Sequence, residues 1–282
     1  MQRWITVGVA ALGAMAGLAA LAAYGHLAGW RVEPMSPEAL ARELRTGFEF
    51  HTPEGDGPFP TGIFFHGCGG VSDRIRSWAR ELKAAGWATL ILDSLGPRGI
   101  TGEEVCSGRR LLGRERAGDV LVAIEEARRR PEVDPERLVL FGWSHGGWTL
   151  IEIMAMNPPR ELPPSLNAAP TRALEGVRGI VLFYPYCGLA ARTGVWEPKI
   201  PALFLLGRND QTAPAAPCIV MAEDLRDSGR VAEAHVYEGV GHGFDHPNRP
   251  GDLDSRRSPN ATARAHSALL DFLARHAANS SI

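Results

Sequence analysis

Three polar residues suited to nucleophilic catalysis follow three predicted strands of the chain. Ser144 is the central residue of a G-x-S-x-G motif that comes directly after the apolar run 138–141. Asp210 and His242 follow two later apolar runs. An imidazole within reach of a serine hydroxyl can take its proton, and a carboxylate can orient the imidazole. The sequence therefore predicts that Ser144 attacks a carbonyl, that His242 transfers the proton and that Asp210 orients His242.

The glycines on either side of Ser144 indicate how this serine is held. Gly142 and Gly146 have the spacing of a sharp turn between a strand and a helix, where a β-carbon would collide with neighbouring backbone. The helix that follows aims its first N–H groups at the negative charge that develops in acyl transfer. The alternative is a glycine-rich turn whose serine only caps a helix. The order and placement of Asp210 and His242 favour the catalytic interpretation.

Acyl transfer also requires two backbone N–H groups that converge on the oxyanion. We expect one from His145, the residue after the nucleophile. The other is expected from Cys68 in the glycine-rich segment 66–70, with Gly69 as the next choice. Cys68 as a second nucleophile is a competing interpretation, but the sequence offers no base for it.

Other titratable residues near the predicted strand ends receive smaller roles. His246 follows His242 at a spacing of four, which would suit two metal ligands on a helix, but Pro247 argues against a helix there. No metal site is therefore expected. Asp93 also ends a predicted strand, but it precedes the serine strand and is given at most a supporting role. Arg98 is expected to meet either an anionic substrate or a surface carboxylate, and we favour the surface carboxylate.

The elements that must position these residues alternate along the chain. Short apolar runs predict strands and are separated by segments of helical periodicity, a pattern typical of a parallel sheet covered on both faces. In such sheets, functional side chains lie beyond the carboxyl ends of the strands. The predicted fold class is α/β, with a mostly parallel, doubly wound sheet in a single domain. Strands are predicted at residues 45–51, 62–65, 88–92, 137–141, 179–183, 202–206 and 232–237, and helices at 38–44, 73–85, 114–130, 214–228 and 262–276. A further helix is predicted to follow Gly147, with its apolar part at 148–154.

Three groups of residues carry less specific signals. Residues 95–113 form a long glycine-rich segment without clear periodicity, which is predicted to be a loop of the kind that often carries function. The arginine-rich runs 109–116 and 128–130 are interpreted as solvated helix faces. Aromatic residues near the strand ends either line an apolar pocket or fill the core: Trp143, Trp148, Tyr184, Tyr186 and Trp196.

The amino-terminal segment predicts export. Between Arg3 and Arg31 there is no Asp, Glu, Lys or Arg, and most of the residues are small and apolar. Residues 1–30 are expected to be a signal peptide, for which residues 20–22 offer an A-x-A cleavage site, or an N-terminal membrane anchor. Residues 4–27 are long enough to anchor the protein to the inner membrane. Residues 31–282 are expected to form the catalytic domain, in the periplasm or outside the cell.

The cysteines fit such an oxidising compartment. Cys68, Cys106, Cys187 and Cys218 lack the C-x-x-C and Cys/His spacings of zinc sites. Three connectivities are possible. We predict the disulfides Cys68–Cys106 and Cys187–Cys218, because each pair would join loops at the same end of the sheet.

The composition excludes some classes of partner and architecture. The 282 residues are 45% hydrophobic and 22% charged, as in an ordinary globular protein. The net charge is −2, and no basic stripe suited to phosphates is present, so a nucleic-acid partner is not expected.

From about residue 45 onward, the chain resembles the dienelactone-hydrolase-like branch of the α/β-hydrolase superfamily. Members of this superfamily carry the triad in the order serine, acid, histidine. The resemblance implies an α/β-hydrolase fold and the hydrolysis of small-molecule carboxylic esters or lactones through an acyl-enzyme, without a cofactor. The matching motifs are HGCGG at 66–70, LDS at 92–94 with GPRG at 96–99, GWSHGG at 142–147, GRND at 207–210 and GHGF at 241–244.

The chain departs from that branch at the nucleophile. Dienelactone hydrolases carry a cysteine where this chain has Ser144, which argues against a dienelactone as the substrate. We therefore expect an exported serine hydrolase of ester or lactone bonds. A peptidase or amidase similar to the prolyl-oligopeptidase branch, an acyltransferase and a non-catalytic binding protein of the same fold are the alternatives.

Overall fold

A computed structural model describes residues 32–188, 191, 196, 198–246 and 258–277. The segment 1–30, predicted to be a signal peptide or anchor, lies outside these residues. None of the helices in the described part of the chain combines the length and the apolar character that a bilayer span requires.

Seven strands in the described residues form a sheet in the order β1-β3-β2-β4-β5-β6-β7. Every neighbouring pair is parallel except the edge pair of β1 and β3. The mostly parallel sheet predicted from the sequence is confirmed. The strands are β1 (Phe48–His51), β2 (Phe59–Phe65), β3 (Ala88–Leu92), β4 (Val133–Trp143), β5 (Val177–Phe183), β6 (Ala202–Gly207) and β7 (Ala232–Tyr237).

Helices cover both faces of this sheet. Side chains alternate between the two faces along each strand, so apolar strands present an apolar surface on each face that must be covered. In β4, Leu138 and Leu140 pack in one apolar layer, whereas Val139 and Phe141 pack in the other. The first layer is covered by α1, α4, α5 and α6, and the second by α2 and α7. The helices are α1 (Pro37–Leu44), α2 (Asp73–Ala84), α3 (Gly102–Cys106), α4 (Gly113–Arg128), α5 (His145–Met156), α6 (Ala215–Asp227) and α7 (Pro259–His276).

Two local predictions are corrected by the structure. The predicted strand at 45–51 begins only at Phe48, because Arg45–Gly47 forms a 3-10 turn. The segment 95–113, predicted to be a loop, contains the short helix α3 and a 3-10 turn at Gly96–Arg98. Helix α3 is too short to show periodicity, and it begins with a capping box between Thr101 and Glu104.

The interpretation of the arginine-rich runs as solvated faces is wrong at two positions. Arg116 is fully buried, and the side chain of Arg128 is only 6% exposed. Arg128 pairs with Glu125 and donates to the carbonyl of Glu175. Arg98 pairs with a partly exposed carboxylate, Glu43, as expected, but it also donates twice to Asp119, a fully buried carboxylate that the sequence did not predict.

Both predicted disulfides are present and lie beyond the carboxyl ends of the strands. Cys68 follows β2 and is bonded to Cys106, the last residue of α3, with their Cα atoms 5.0 Å apart. Cys187 follows β5 and is bonded to Cys218 in α6, with a Cα–Cα distance of 5.2 Å. Each disulfide thus ties a segment at this edge of the sheet to a helix.

Candidate active site

Ser144 occupies a strained turn between β4 and α5. Its φ angle is +51° and its ψ angle is −111°, a conformation that costs a side-chain-bearing residue on the order of 1–3 kcal/mol. The turn is held by its backbone: the Ser144 N–H donates to the Phe183 carbonyl at 2.9 Å, and the Ser144 carbonyl accepts from Trp148 N–H at 3.0 Å. The surrounding fold therefore maintains the strain and presents the hydroxyl at the end of the sheet.

The flanking glycines are required by close backbone contacts, as the sequence predicted. A β-carbon at Gly146 would lie 2.0 Å from the Phe65 carbonyl oxygen, at the end of the neighbouring strand β2. A β-carbon at Gly142 would lie 2.6 Å from the backbone nitrogen of Gly147. The start of α5 thus packs directly on the ends of β2 and β4.

The structure brings Ser144, His242 and Asp210 into one hydrogen-bonded chain. Ser144 Oγ lies 2.9 Å from His242 Nε2, and His242 Nδ1 lies 2.8 Å from Asp210 Oδ2. The geometry places a proton on Nδ1 that is donated to Asp210, and leaves Nε2 to accept from the serine hydroxyl. An imidazole held in this way can take the serine proton and return it to a leaving group.

Asp210 is positioned by the turn that follows β6. Its Oδ1 accepts the backbone N–H of Thr212 at 2.9 Å and that of Ala213 at 2.7 Å, which leaves Oδ2 for His242. The side chain of Asp210 is 1% exposed. Its carboxylate is therefore fixed in orientation and shielded from water.

The loop after β7 carries His242 and packs against the end of β6. Asn209 N–H donates to the Val240 carbonyl at 2.9 Å. A β-carbon at Gly207 would lie 2.6 Å from the Gly241 carbonyl oxygen, so the two loops are in close contact. The ring of His242 also lies edge-on to Tyr184, with 4.8 Å between centroids.

The peptide that carries the predicted Cys68 donor is oriented by His66. His66 Nδ1 donates to the Gly67 carbonyl at 2.6 Å, and the Ser94 N–H donates to His66 Nε2 at 3.1 Å. Burial, reinforced by Arg116, lowers the pKa of His66 to about 4, so this ring is neutral at pH 7. Because the Gly67 carbonyl faces His66, the trans peptide directs the Cys68 N–H the opposite way.

His145, the other predicted oxyanion donor, is the first residue of α5. Among the described residues, no backbone carbonyl accepts a hydrogen bond from the amide of Cys68 or of His145. A β-carbon at Gly67 would lie 3.6 Å from Ser144 Cβ, so the Cys68 loop borders the serine. Both amides remain our predicted donors to an oxyanion.

A cleft of about 370 Å³ opens at Ser144 and is mostly apolar. The rings of Trp148 and Tyr186 contact each other in it, with their centroids 5.2 Å apart. No Asp, Glu, Lys or Arg is among the described residues that line it. The lining consists of Ser144, His145, Trp148, Tyr186, Leu112, Val105, Gly108, Thr212, Ala213 and the Cys68–Cys106 disulfide.

The five aromatic residues considered from the sequence divide between cleft and core. Trp148 and Tyr186 line the cleft, whereas Trp143, Tyr184 and Trp196 are each about 99% buried or more. Within the described ranges, no group of three His, Cys, Asp or Glu side chains is arranged to hold a metal ion.

Asp245 is a buried neighbour of His242 whose structural role sequence reasoning missed. This buried carboxylate follows His242 by three residues and accepts from Tyr184 Oη at 2.6 Å, from Trp78 Nε1 at 2.8 Å and from Trp143 Nε1 at 3.2 Å. Burial raises the pKa of Tyr184 well above its usual value, so its hydroxyl remains a donor. Asp245 therefore ties the His242 loop to α2, β4 and β5. Only its position in the motif-bearing loop signalled it.

Substitution Asp245→Ala is expected to reduce the free energy of unfolding by about 3 kcal/mol or more, because it leaves three buried donors unpaired. Asp245→Asn retains one acceptor oxygen and is expected to cost less. Urea unfolding of both variants, followed by tryptophan fluorescence, measures the difference. A loss below about 1 kcal/mol for the alanine variant would contradict this role for Asp245.

Solved structures share this fold along most of the chain. A putative dienelactone hydrolase from Klebsiella pneumoniae subsp. pneumoniae aligns with 81% of this chain and 99% of its own, at a TM-score of 0.59 and 19% identity. Esterase 2 of Thermogutta terrifontis aligns over 81% of this chain and 88% of its own, at a TM-score of 0.60 and 21% identity. These likenesses show the fold.

Two family models match different parts of the sequence. The dienelactone hydrolase family matches residues 165–277, and the prolyl oligopeptidase family matches residues 76–160, which include Ser144. Both matches, together with the shared fold, are consistent with a member of the α/β-hydrolase superfamily.

The curated relatives are much longer proteins. The acylamino-acid-releasing enzyme of Arabidopsis thaliana is 22% identical in an alignment of 189 positions that covers 59% of this chain and 25% of the plant protein. Acylamino-acid-releasing enzyme 1 of Oryza sativa subsp. japonica is 25% identical in an alignment of 218 positions that covers 67% of this chain and 28% of the rice protein. The chain spans about a quarter of these relatives.

Proposed function

We propose that this α/β-hydrolase is an exported serine hydrolase that cleaves carboxylic esters or lactones of small molecules through an acyl-enzyme on Ser144. The hydrogen-bonded chain from Ser144 Oγ through His242 to Asp210 carries this proposal. The three residues occur along the chain in the order serine, acid, histidine, and their hydrogen bonds suit a nucleophile, an orienting acid and a general base.

In the proposed mechanism, Ser144 Oγ attacks the carbonyl carbon while His242 Nε2 takes the hydroxyl proton. The amides of Cys68 and His145 bind the resulting oxyanion, and Asp210 stabilises the imidazolium. When the tetrahedral intermediate collapses, the bond from carbon to the leaving oxygen breaks, and His242 gives its proton to that oxygen. Water then attacks the acyl-enzyme with the same base, releasing the acid and restoring Ser144.

The apolar cleft supports a substrate with a neutral acyl group. Trp148, Leu112 and Val105 offer hydrophobic contacts beside Ser144, and the described lining has no cationic side chain to pair with a carboxylate. Burial of an unpaired charge in such a site is strongly unfavourable. The cleft therefore favours esters of short apolar or aromatic acids over esters whose acyl group carries a carboxylate.

Two observations support export. The chain carries two disulfides, Cys68–Cys106 and Cys187–Cys218, and disulfides persist in oxidising compartments. The apolar residues 4–27 have the composition of a signal peptide or an anchor. We propose a periplasmic or secreted location on these grounds, with anchoring to the inner membrane if the segment is retained.

A peptidase or amidase is the second candidate function. The match of residues 76–160 to the prolyl oligopeptidase family and the similarity to acylamino-acid-releasing enzymes favour it. The same triad geometry serves ester and amide bonds, since only the leaving group differs.

A set of three substrates distinguishes the esterase from the peptidase and tests the neutral acyl site. We expect hydrolysis of p-nitrophenyl butyrate and a kcat/KM at least roughly 100-fold lower for p-nitrophenyl hemisuccinate, because its carboxylate would enter the apolar cleft unpaired. The anilide with the same butyryl group tests the amide bond. Release of p-nitrophenolate and of p-nitroaniline is followed by absorbance.

Each alternative result has a distinct meaning. Equal rates on the butyrate and the hemisuccinate would contradict the neutral acyl site, and Trp148→Ala should lower the rate on the butyrate if the cleft binds the acyl group. Cleavage of the anilide at a rate comparable to the ester would favour the peptidase. Butyryl transfer to an added alcohol in preference to water would favour an acyltransferase.

A further inference from the structure

Arg116 is a buried cation with no carboxylate bonded to it. Arg116 is 0% exposed, and no ion pair joins it to an acidic side chain among the described residues. The nearby carboxylate of Asp119 is held by both terminal nitrogens of Arg98. Burial of a charge without a bonded counter-ion is unfavourable. The groups that contact the Arg116 guanidinium must therefore explain why it is buried.

The guanidinium contacts both segments that carry the predicted oxyanion donors. Nη1 donates to the His66 carbonyl at 2.7 Å and lies 3.4 Å from His145 Nδ1. Nε donates to Ser94 Oγ at 2.9 Å, and the Ser94 N–H is the group that donates to the His66 ring. Arg116 thus joins the end of β2, the end of β3 and the start of α5.

The neighbouring imidazoles do not compete for this charge. Burial, with Arg116 as the next cause, lowers the pKa of His66 to about 4 and holds that of His145 well below its usual value. Burial also lowers the pKa of Arg116 to about 10, which still leaves the guanidinium protonated at pH 7. Arg116 is therefore a fixed positive charge between two neutral rings.

We propose that Arg116 is a positioning residue of the oxyanion hole, acting on the segments of His66 and His145. It holds the Cys68 loop and the start of α5 in the relative position at which the amides of Cys68 and His145 converge. Its charge, fixed behind both segments, also favours the oxyanion over the neutral carbonyl. This inference rests on the proposed acyl-enzyme mechanism and adds a residue to it.

Arg116→Gln tests the proposal, and Arg128→Gln is the matched control. Both arginines lie on α4 with side chains that are 6% exposed or less, and they are twelve residues apart, or about 18 Å along the helix. We expect Arg116→Gln to lower kcat for p-nitrophenyl butyrate by about 10- to 100-fold, somewhat less than the loss of a direct oxyanion donor, with KM within about threefold. Arg128→Gln should lower the stability of the fold but leave kcat of the folded protein unchanged.

Binding of phenylboronic acid provides a readout that a purely structural role would not change. This compound forms a tetrahedral, negatively charged adduct with a catalytic serine. Its affinity should fall in parallel with kcat in Arg116→Gln and remain unchanged in Arg128→Gln. Arg116→Lys keeps the charge with fewer donors and should lose about 10-fold in kcat, which keeps the test available if the glutamine variant does not fold.

Three results would overturn the inference. They are wild-type kcat in a folded Arg116→Gln variant, wild-type kcat in Arg116→Lys when the glutamine variant is unfolded, and equal losses in the Arg116 and Arg128 variants. Failure of the proposed function itself is recognised separately, because the wild-type protein would then neither hydrolyse the ester nor react with a fluorophosphonate at Ser144.

Discussion

The Ser144→Ala variant is expected to lose ester hydrolysis by about 10⁵-fold or more in kcat while retaining its fold. Alanine removes only Oγ, and the backbone of the turn is held by the bonds to Phe183 and Trp148. The residual rate would come from water attacking a carbonyl bound near the oxyanion amides. Initial rates with p-nitrophenyl butyrate, together with thermal unfolding, measure both expectations.

A serine outside the cleft gives the control for this experiment. Ser228, at the end of α6, donates its hydroxyl to the Leu225 carbonyl and does not line the cleft, and Ser228→Ala should keep the wild-type rate. A folded Ser144→Ala variant with wild-type turnover would mean that another group is the nucleophile. If the wild-type protein has no turnover and its biological activity survives Ser144→Ala, a non-catalytic binding function would replace the enzyme.

Asp210→Asn is expected to lower kcat by about 10⁴-fold, an effect that comes from the tautomer of His242. Oδ1 accepts the N–H groups of Thr212 and Ala213, so an asparagine would place its oxygen there and turn its NH₂ group toward His242. His242 Nδ1 would then accept a hydrogen bond, and the proton would move to Nε2. The ring could no longer accept the proton of Ser144.

The pH dependence of this variant distinguishes a tautomer effect from unfolding. The deficit of Asp210→Asn should diminish at high pH, where hydroxide can replace the missing base, while its unfolding transition stays close to that of the wild type. Asp227→Asn, at the exposed end of α6, provides the control and should keep the wild-type profile. A loss of less than about tenfold for Asp210→Asn at neutral pH would contradict the role of Asp210.

The sequence was informative wherever a local pattern determined the structure. Apolar runs of limited length marked the strands, and in a parallel sheet the carboxyl ends of the strands lie on one edge. That geometry is why Ser144, Asp210 and His242, which are up to 98 residues apart, could be predicted to meet. The disulfides followed from the same reasoning about strand ends.

The sequence was uninformative where a residue depends on distant partners. Arg116 stands in an arginine-rich run that is typical of a solvated helix, but it bonds the carbonyl of His66, which is 50 positions away. Asp245 accepts from Trp78 and Trp143, which are 167 and 102 positions away. No local periodicity reports such contacts, so the burial of these charges was visible only in the structure.

The central claim is that Ser144 is an activated nucleophile. The most direct test is to treat the purified protein with a fluorophosphonate probe and to locate the adduct by mass spectrometry. We predict one adduct at Ser144 that disappears in His242→Ala; a folded wild-type protein that stays unlabelled, or is labelled at another residue, would contradict the account.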